Sequence, residues 1–186
     1  MKHIRHFATA AGTLAVLVGL KAVAVIPAAA STVPPQQLQQ AGANGQTIAG
    51  ISCDAQEGQR IHIHQHLLVM DHGKPIPIPA NIGIPAAKSC IYWVHTHTPD
   101  GIIHIEAPQD RSFTLGDFFQ VWGQPLDKTQ AATAVTAKGQ AVKVWVNGKR
   151  YTGDPRKIAL VPHADIVIEV GPPFPKPPRF TNWGKL

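Results

Sequence analysis

Apolar and polar residues alternate along much of the middle of the chain, and this period of two is typical of half-buried β-strands. The clearest case is residues 60–70, where isoleucines alternate with histidines before the sequence becomes continuously apolar. Further segments of strand character lie at 91–97, 102–106, 141–146 and 165–170. Asn147 and Gly148 form a dipeptide that favours a tight hairpin turn after the third of these segments.

One segment between these strands has helical spacing instead. Its apolar positions are Leu115, Phe118, Phe119 and Trp122. Thr114 is suited to cap the start of this helix and Gly123 to end it. The order of strands, helix, hairpin and final strand predicts an α+β fold, with a mainly antiparallel sheet and one short helix packed on it in a β-grasp-like layout. The alternative is a β-sandwich with an inserted helix.

The N-terminal segment has the composition of an export signal. Lys2 and Arg5 precede a mostly apolar run, and the small residues at 28–30 suit cleavage near Ala30, so that 1–30 is predicted to be a signal peptide. Lys21 interrupts the apolar run, which favours a cleaved signal over a membrane anchor. We therefore expect export to the periplasm or the cell exterior, with no stable membrane insertion after processing.

The rest of the chain divides by composition into three parts. Residues 31–50 are rich in Gln, Ala and Gly and are predicted to be flexible, 51–171 form a single histidine-rich domain, and 172–186 are a proline-rich tail. The aromatic residues of the tail are Phe174, Phe180 and Trp183. They are expected to pack against the domain, and the alternative is that they contact a protein partner.

Charge argues against nucleic acid as a partner. The formal net charge is +6, but part of it lies in the predicted signal peptide, and the remaining basic residues are scattered. A nucleic-acid-binding surface needs a basic stripe, commonly with interleaved aromatic residues, and the sequence has neither.

Cys53 and Cys90 are the two cysteines of the chain. In an oxidising compartment such a pair is expected to form a disulfide, and the alternative is a pair of thiolate metal ligands. The bridge would join the segments that enter the two histidine strands.

The histidines supply the strongest chemical signal. His62, His64 and His66 are spaced as H-x-H-x-H, and His95 and His97 repeat the H-x-H spacing. Side chains two apart on a strand share a face, so adjacent strands would gather these imidazoles into one patch. Imidazole binds Zn and Cu well, and three histidines form a known zinc ligand set with an open fourth position. The sequence therefore predicts a site for a divalent transition metal.

Whether His104 and Glu106 belong to the patch depends on the turn before them. Pairing His97 with Ile102 would place His95 opposite His104, with Glu106 on the same face. However, Pro99, Asp100 and Gly101 favour a turn that pairs Thr98 with Ile102 and directs both side chains to the other face. The local sequence slightly favours the second register, and His104 stays a candidate ligand.

Three motifs resemble segments that recur together in uncharacterised bacterial exported proteins. They are IHIHQHL, WVHTHTPDGIIHIE and FTLGDFFQVWG, and they cover about the middle third of the chain. This resemblance implies a shared domain without an established activity. His95, His97 and Glu106 also resemble, loosely, the metal motif of cupins, although the glycine pattern and the distance to the glutamate differ.

The leading hypothesis is an exported protein that binds Zn(II) or Cu(II) through this histidine cluster. The lack of a Met- and Cys-rich ligand set argues against a Cu(I) carrier. A second hypothesis is a metal-dependent hydrolase or oxygenase that uses a three-histidine site, with Glu106 as the catalytic base. A third is a structural or partner-binding secreted module whose histidines form a hydrogen-bonded network.

Overall fold

The computed structural model describes residues 35–186, so the predicted signal peptide and its cleavage near Ala30 lie outside the described residues. The helices are α1 (Pro35–Ala43) and α2 (Leu115–Trp122), with a 3-10 turn at Pro155–Lys157. The strands are β1 (Cys53–Asp54), β2 (Ile61–Asp71), β3 (Lys74–Ile76), β4 (Ile91–Tyr92), β5 (Val94–His95), β6 (Ile102–Ala107), β7 (Gln130–Ala131), β8 (Ala134–Val135), β9 (Val142–Val146), β10 (Lys149–Tyr151) and β11 (Asp165–Val170). Neither described helix is long and apolar enough to cross a membrane.

The main sheet has the strand order β10-β9-β11-β2-β6-β5, and β3 also pairs with β2. Strands β2 and β11 are parallel neighbours near the middle, and the other pairs of this sheet are antiparallel. The long strand β2 uses its first half to pair with β6 and its second half to pair with β11. The structure confirms the predicted α+β class with a mainly antiparallel sheet, and the parallel β2–β11 pair is the one departure from antiparallel pairing in this sheet.

The two faces of the sheet have opposite chemistry. On one face Ile63, Ile105 and Val94 lie opposite one another across β2, β6 and β5, and they pack with α2 in a single buried apolar cluster. Side chains alternate along a strand, so the neighbouring positions point the other way. That other face carries His64 and His104, and we call it the histidine face.

Helix α2 begins and ends where the sequence predicts. The Thr114 hydroxyl accepts a hydrogen bond from the Asp117 backbone N–H, and the Asp117 carboxylate accepts one from the Thr114 N–H. This reciprocal pair is a capping box. Gly123 ends the helix in the left-handed conformation, with φ of 69°.

Replacing Thr114 by alanine is expected to lower the free energy of unfolding by about 1 kcal/mol, because helix N–H groups lose their partner. Urea unfolding measures this loss. Thr133→Ala, at an exposed threonine, is the matched control and should change little. Metal affinity should stay the same in both variants because α2 packs on the apolar face, and a large loss of affinity in Thr114→Ala would contradict this division of the sheet.

The predicted disulfide and hairpin are both confirmed. Cys53 and Cys90 are bonded, with 5.3 Å between their Cα atoms, and the bridge lies beside the short β1–β4 pair. Asn147 and Gly148 join β9 to β10 with positive φ values of 51° and 75°. Such values are what a tight hairpin turn requires.

Two segments differ from the sequence expectation. Part of the segment predicted to be flexible, 31–50, forms α1, and Ile48 and Ile51 beyond it are buried in the core. The Tyr92 hydroxyl donates to the Gln46 carbonyl and ties this segment to β4. The strand predicted over 91–97 is instead divided into β4 and β5, which belong to different sheets.

The proline-rich tail returns over part of the histidine face. Phe180 stacks on His66 with 4.1 Å between ring centres, and the Arg179 guanidinium donates to the Asp165 carboxylate at 2.9 Å. The Lys143 ammonium lies 3.8 Å from the centre of the Phe174 ring. The tail therefore covers the part of the face formed by β9, β11 and the middle of β2.

Candidate metal centre

Six side chains converge on the part of the histidine face built by β2, β5 and β6. They are His62, His64, His95, His97, His104 and Glu106. Strand pairing places five of them directly: His62 lies opposite Glu106, and His104 lies between His64 and His95. His104 is central, because its ring centre lies 4.5 Å from the ring centres of both His64 and His97.

This register is the one that the turn sequence disfavoured, and the turn-based preference for pairing Thr98 with Ile102 is wrong. Strand β5 ends at His95, because the Thr96 N–H donates to the Ile82 carbonyl and the Thr96 hydroxyl donates to the Pro79 carbonyl. The pairing of β5 is thus fixed before the turn begins. A slip by one residue would also remove the buried Val94 from the apolar face, which is costly.

The ligand atoms fall into two overlapping sets. In each set the atoms lie within 4.8 Å of one another. The first set is His62, His64, His104 and Glu106, and the second is His95, His97, His104 and Glu106. Both sets therefore contain three imidazoles and one carboxylate, and they share His104 and Glu106.

Two distances in these sets already match those of a metal site. The His95 and His97 Nε2 atoms are 3.2 Å apart, and the His62 Nε2 atom is 3.1 Å from Glu106 Oε1. Ligands bound to zinc at about 2.0–2.1 Å in tetrahedral geometry stand about 3.3 Å apart. Small movements of the remaining side chains would complete either set.

The cluster has a buried floor and an exposed rim. The His95 side chain is 0% exposed and that of Glu106 is 6% exposed, whereas His62 and His97 are 61% and 40% exposed. Solvent therefore reaches the ligand atoms from the rim. An ion can enter without unfolding of the domain, and the apolar surroundings of the floor strengthen its electrostatic attraction to the ligands.

Burial sets the protonation of the floor residues in the metal-free protein. It lowers the pKa of His95 to about 4, and burial together with the neighbouring histidines lowers the pKa of His104 to about 3. The His95 Nδ1 atom lies 2.8 Å from the Tyr92 carbonyl, which can only accept, so Nδ1 carries the proton. The lone pair of His95 is then on Nε2, which faces the cluster. Neutral imidazoles oriented in this way are ready metal ligands.

The floor also contains polar atoms without partners. Glu106 Oε2 and His104 Nδ1 are buried and accept or donate no hydrogen bond within the described structure. Burial, and then the nearby negative charge of Glu57, raise the pKa of Glu106 to about 7. Buried unpaired polar atoms are costly, and a metal ion bound here would satisfy them.

His66, predicted as a ligand, is in neither set. It lies on the histidine face, but its Nδ1 atom is 3.2 Å from the Asp165 carboxylate and its ring stacks on Phe180. The two other histidines of the domain are also elsewhere. His72 contacts Asp71 in an exposed turn, and His163 lies against Trp183 of the tail.

The acidic neighbours differ in what they can contribute. Glu57 lies at the rim with Oε1 3.6 Å from His97 Nε2, whereas the Asp54 carboxylate accepts from the Trp93 indole and Asp100 accepts from the Ile102 N–H. Glu57 is therefore the one of these three that faces the ligand pool.

No protein-family model, curated protein or solved structure matches this chain. The fold and the side-chain geometry therefore carry the interpretation of the site.

Proposed function

We propose that this is an exported metal-binding protein that holds Zn(II) or Cu(II) in the cluster of five histidines and Glu106. The observation that carries the proposal is the convergence of two four-ligand sets on one part of a sheet face, with buried and unpaired ligand atoms at its floor. Buried polar atoms normally have partners, and a metal ion would supply one here.

The ligand chemistry supports a divalent ion of borderline softness. Imidazole nitrogens suit Zn(II) and Cu(II), whereas carriers of Cu(I) favour thiolate and thioether ligands. Both cysteines are joined in the disulfide and are not available as thiolates. The three-to-one ratio of imidazole to carboxylate in each set suits zinc in particular.

Export is the remaining part of the proposal. The disulfide is compatible with an oxidising compartment, and the N-terminal sequence has the signal-peptide features given above.

The test is metal content after dialysis against limiting zinc, measured on the wild type and on His64→Ala and His97→Ala. We expect the wild type to retain zinc and both variants to lose affinity by at least about 100-fold, since even partners outside the ligand set cost about 10–100-fold. His72→Asn is the matched control, because asparagine tolerates the positive φ of 48° at that position. Unchanged zinc content in both cluster variants would refute the proposal.

A metal-dependent hydrolase or oxygenase is the second candidate function, and the position of Glu106 favours it. Glu106 shares the face with three or more histidines, as a catalytic base beside such a metal must. A metal ion held by such a site would activate a bound water molecule as a nucleophile. Hydrolysis of a bis(p-nitrophenyl) phosphate probe that depends on added zinc, and that is lost in Glu106→Gln even at zinc concentrations that saturate the variant, would support this function over simple binding.

A further inference from the structure

The number of ligand atoms exceeds what one ion can use. A tetrahedral zinc site is complete with four ligands, but six side chains point into this part of the face. The six do not form one mutually close group and instead divide into two sets, with the His62–His64 pair on one side and the His95–His97 pair on the other. A single ion would leave one histidine pair without a role.

Glu106 lies between the two histidine pairs and faces each of them with a different oxygen. Its Oε1 is 3.1 Å from His62 Nε2, whereas its Oε2 is 3.8 Å from His95 Nε2. Oε2 is buried and has no hydrogen-bond partner. A carboxylate placed in this way can bind one ion through each oxygen.

We infer that the cluster binds two metal ions side by side, with the Glu106 carboxylate bridging them. This inference rests on the proposed metal-binding function. One ion takes His62 and His64, the other takes His95 and His97, and His104 completes one of the two. Paired ions in proteins stand about 3.5–4 Å apart, a separation that a bridging carboxylate spans.

The arrangement leaves the two ions unequal. Only one of them gains His104, so this ion has four protein ligands when Glu106 is counted, and the other has three. Three protein ligands leave an open position, which is the pattern of zinc sites that exchange solvent or ligands. The exposed His62 and His97 place that position at the solvent side of the cluster.

Two divalent cations held this close together repel each other, so negatively charged groups are needed near them. Glu106 supplies one negative charge between the histidine pairs. Glu57 Oε1 lies 3.6 Å from His97 Nε2, on the side of the second ion. Replacing Glu57 by glutamine should therefore weaken the ion held by His95 and His97 more than the other ion.

The test uses the full chain, stripped with a chelator and titrated with Zn(II), and then with Cu(II) for electron paramagnetic resonance. We expect two ions per chain and, for copper, the dipolar broadening and half-field signal of two close Cu(II) ions. His62→Ala and His97→Ala alter exposed rim residues on opposite sides, so circular dichroism should show them folded. Each variant should lose one tight ion and the copper–copper signal, whereas His72→Asn should keep both.

The outcomes separate the inference from the function on which it rests. One tight ion per chain in the wild type would overturn the two-ion inference and leave metal binding intact. Two ions without a copper–copper interaction would also overturn it, since the carboxylate then does not bridge. No ion bound tightly would overturn both the inference and the proposed function.

Discussion

Glutamine in place of Glu106 is expected to stabilise the metal-free protein at alkaline pH and to weaken its binding of metal. The pKa of Glu106 is raised to about 7 from the ordinary value of 4.5, which means that ionising this buried carboxyl group is harder in the folded state than in the unfolded state. The folded protein therefore loses stability as pH rises from the unfolded pKa through the folded one. Glutamine has nearly the same shape and carries no charge.

The expected change in the free energy of unfolding follows from the pKa shift of Glu106. The unfavourable contribution of Glu106 is below about 1 kcal/mol at pH 5 and reaches at most about 3 kcal/mol at pH 9, at about 1.4 kcal/mol for each pKa unit. Urea unfolding in the presence of a chelator, at pH 5 and pH 9, should therefore show a stabilisation of Glu106→Gln that is several-fold larger at the higher pH. His95 and His104 act in the opposite direction at lower pH, where their lowered pKa values make stability fall on acidification below about 6.5 in both proteins.

The same variant should bind zinc at least about 100-fold more weakly, because a direct ligand is lost. Gain of stability with loss of binding is the pattern of a functional site that is costly without its ligand. Asp110→Asn is the control, because Asp110 is an acidic residue that is exposed and not buried. This variant should show no gain of stability at pH 9. A Glu106→Gln protein that is less stable than the wild type at pH 9 would contradict a role for Glu106 as an uncompensated buried charge.

Removal of the disulfide is expected to be the largest single loss of stability among these changes. Cys53 and Cys90 are 37 residues apart, and a crosslink over such a loop lowers the entropy of the unfolded chain. The chain-entropy relation gives about 4 kcal/mol for this length. The Cys53→Ala/Cys90→Ala double variant should therefore unfold at a much lower urea concentration than the wild type.

Equilibrium unfolding with and without dithiothreitol provides the measurement and its control. The reductant should destabilise the wild type by about the same amount as the double variant loses, and it should not affect the double variant. Excess zinc should restore part of the lost stability, since an ion that binds only the folded state stabilises it. A loss below about 1 kcal/mol would show that the β1–β4 pair and its surroundings hold this region without the crosslink.

Much of the fold follows from local sequence signals that point in the same direction. Helix α2 is specified by its capping residues and its apolar spacing together. The β9–β10 hairpin is specified by a turn dipeptide between two strands of alternating pattern. Helix α1 was not predicted because its composition, rich in glutamine and small residues, resembles a flexible segment. Its neighbours Ile48 and Ile51, which are buried, are the signal that could have indicated order there.

The sequence indicates which residue types form the site, but it does not determine which of the histidines belong to it. The alternation rule places His62, His64 and His66 on one face, yet only distant residues decide what each of them contacts. His66 meets Asp165, which is 99 residues away, and Phe180 of the tail. The shared face of His95, His104 and Glu106 likewise depends on Thr96 bonding to the 79–82 segment, which no turn rule can include.

Anomalous diffraction from crystals grown with zinc tests the metal site most directly, because it locates the ions themselves. We expect density between the two histidine pairs, about 2.0–2.1 Å from ring nitrogens of His64 and His95 and in contact with Glu106. Zinc found only at His72 or His163, or a cluster without any bound ion at zinc concentrations that saturate such sites, would contradict the assignment of this face as a metal centre.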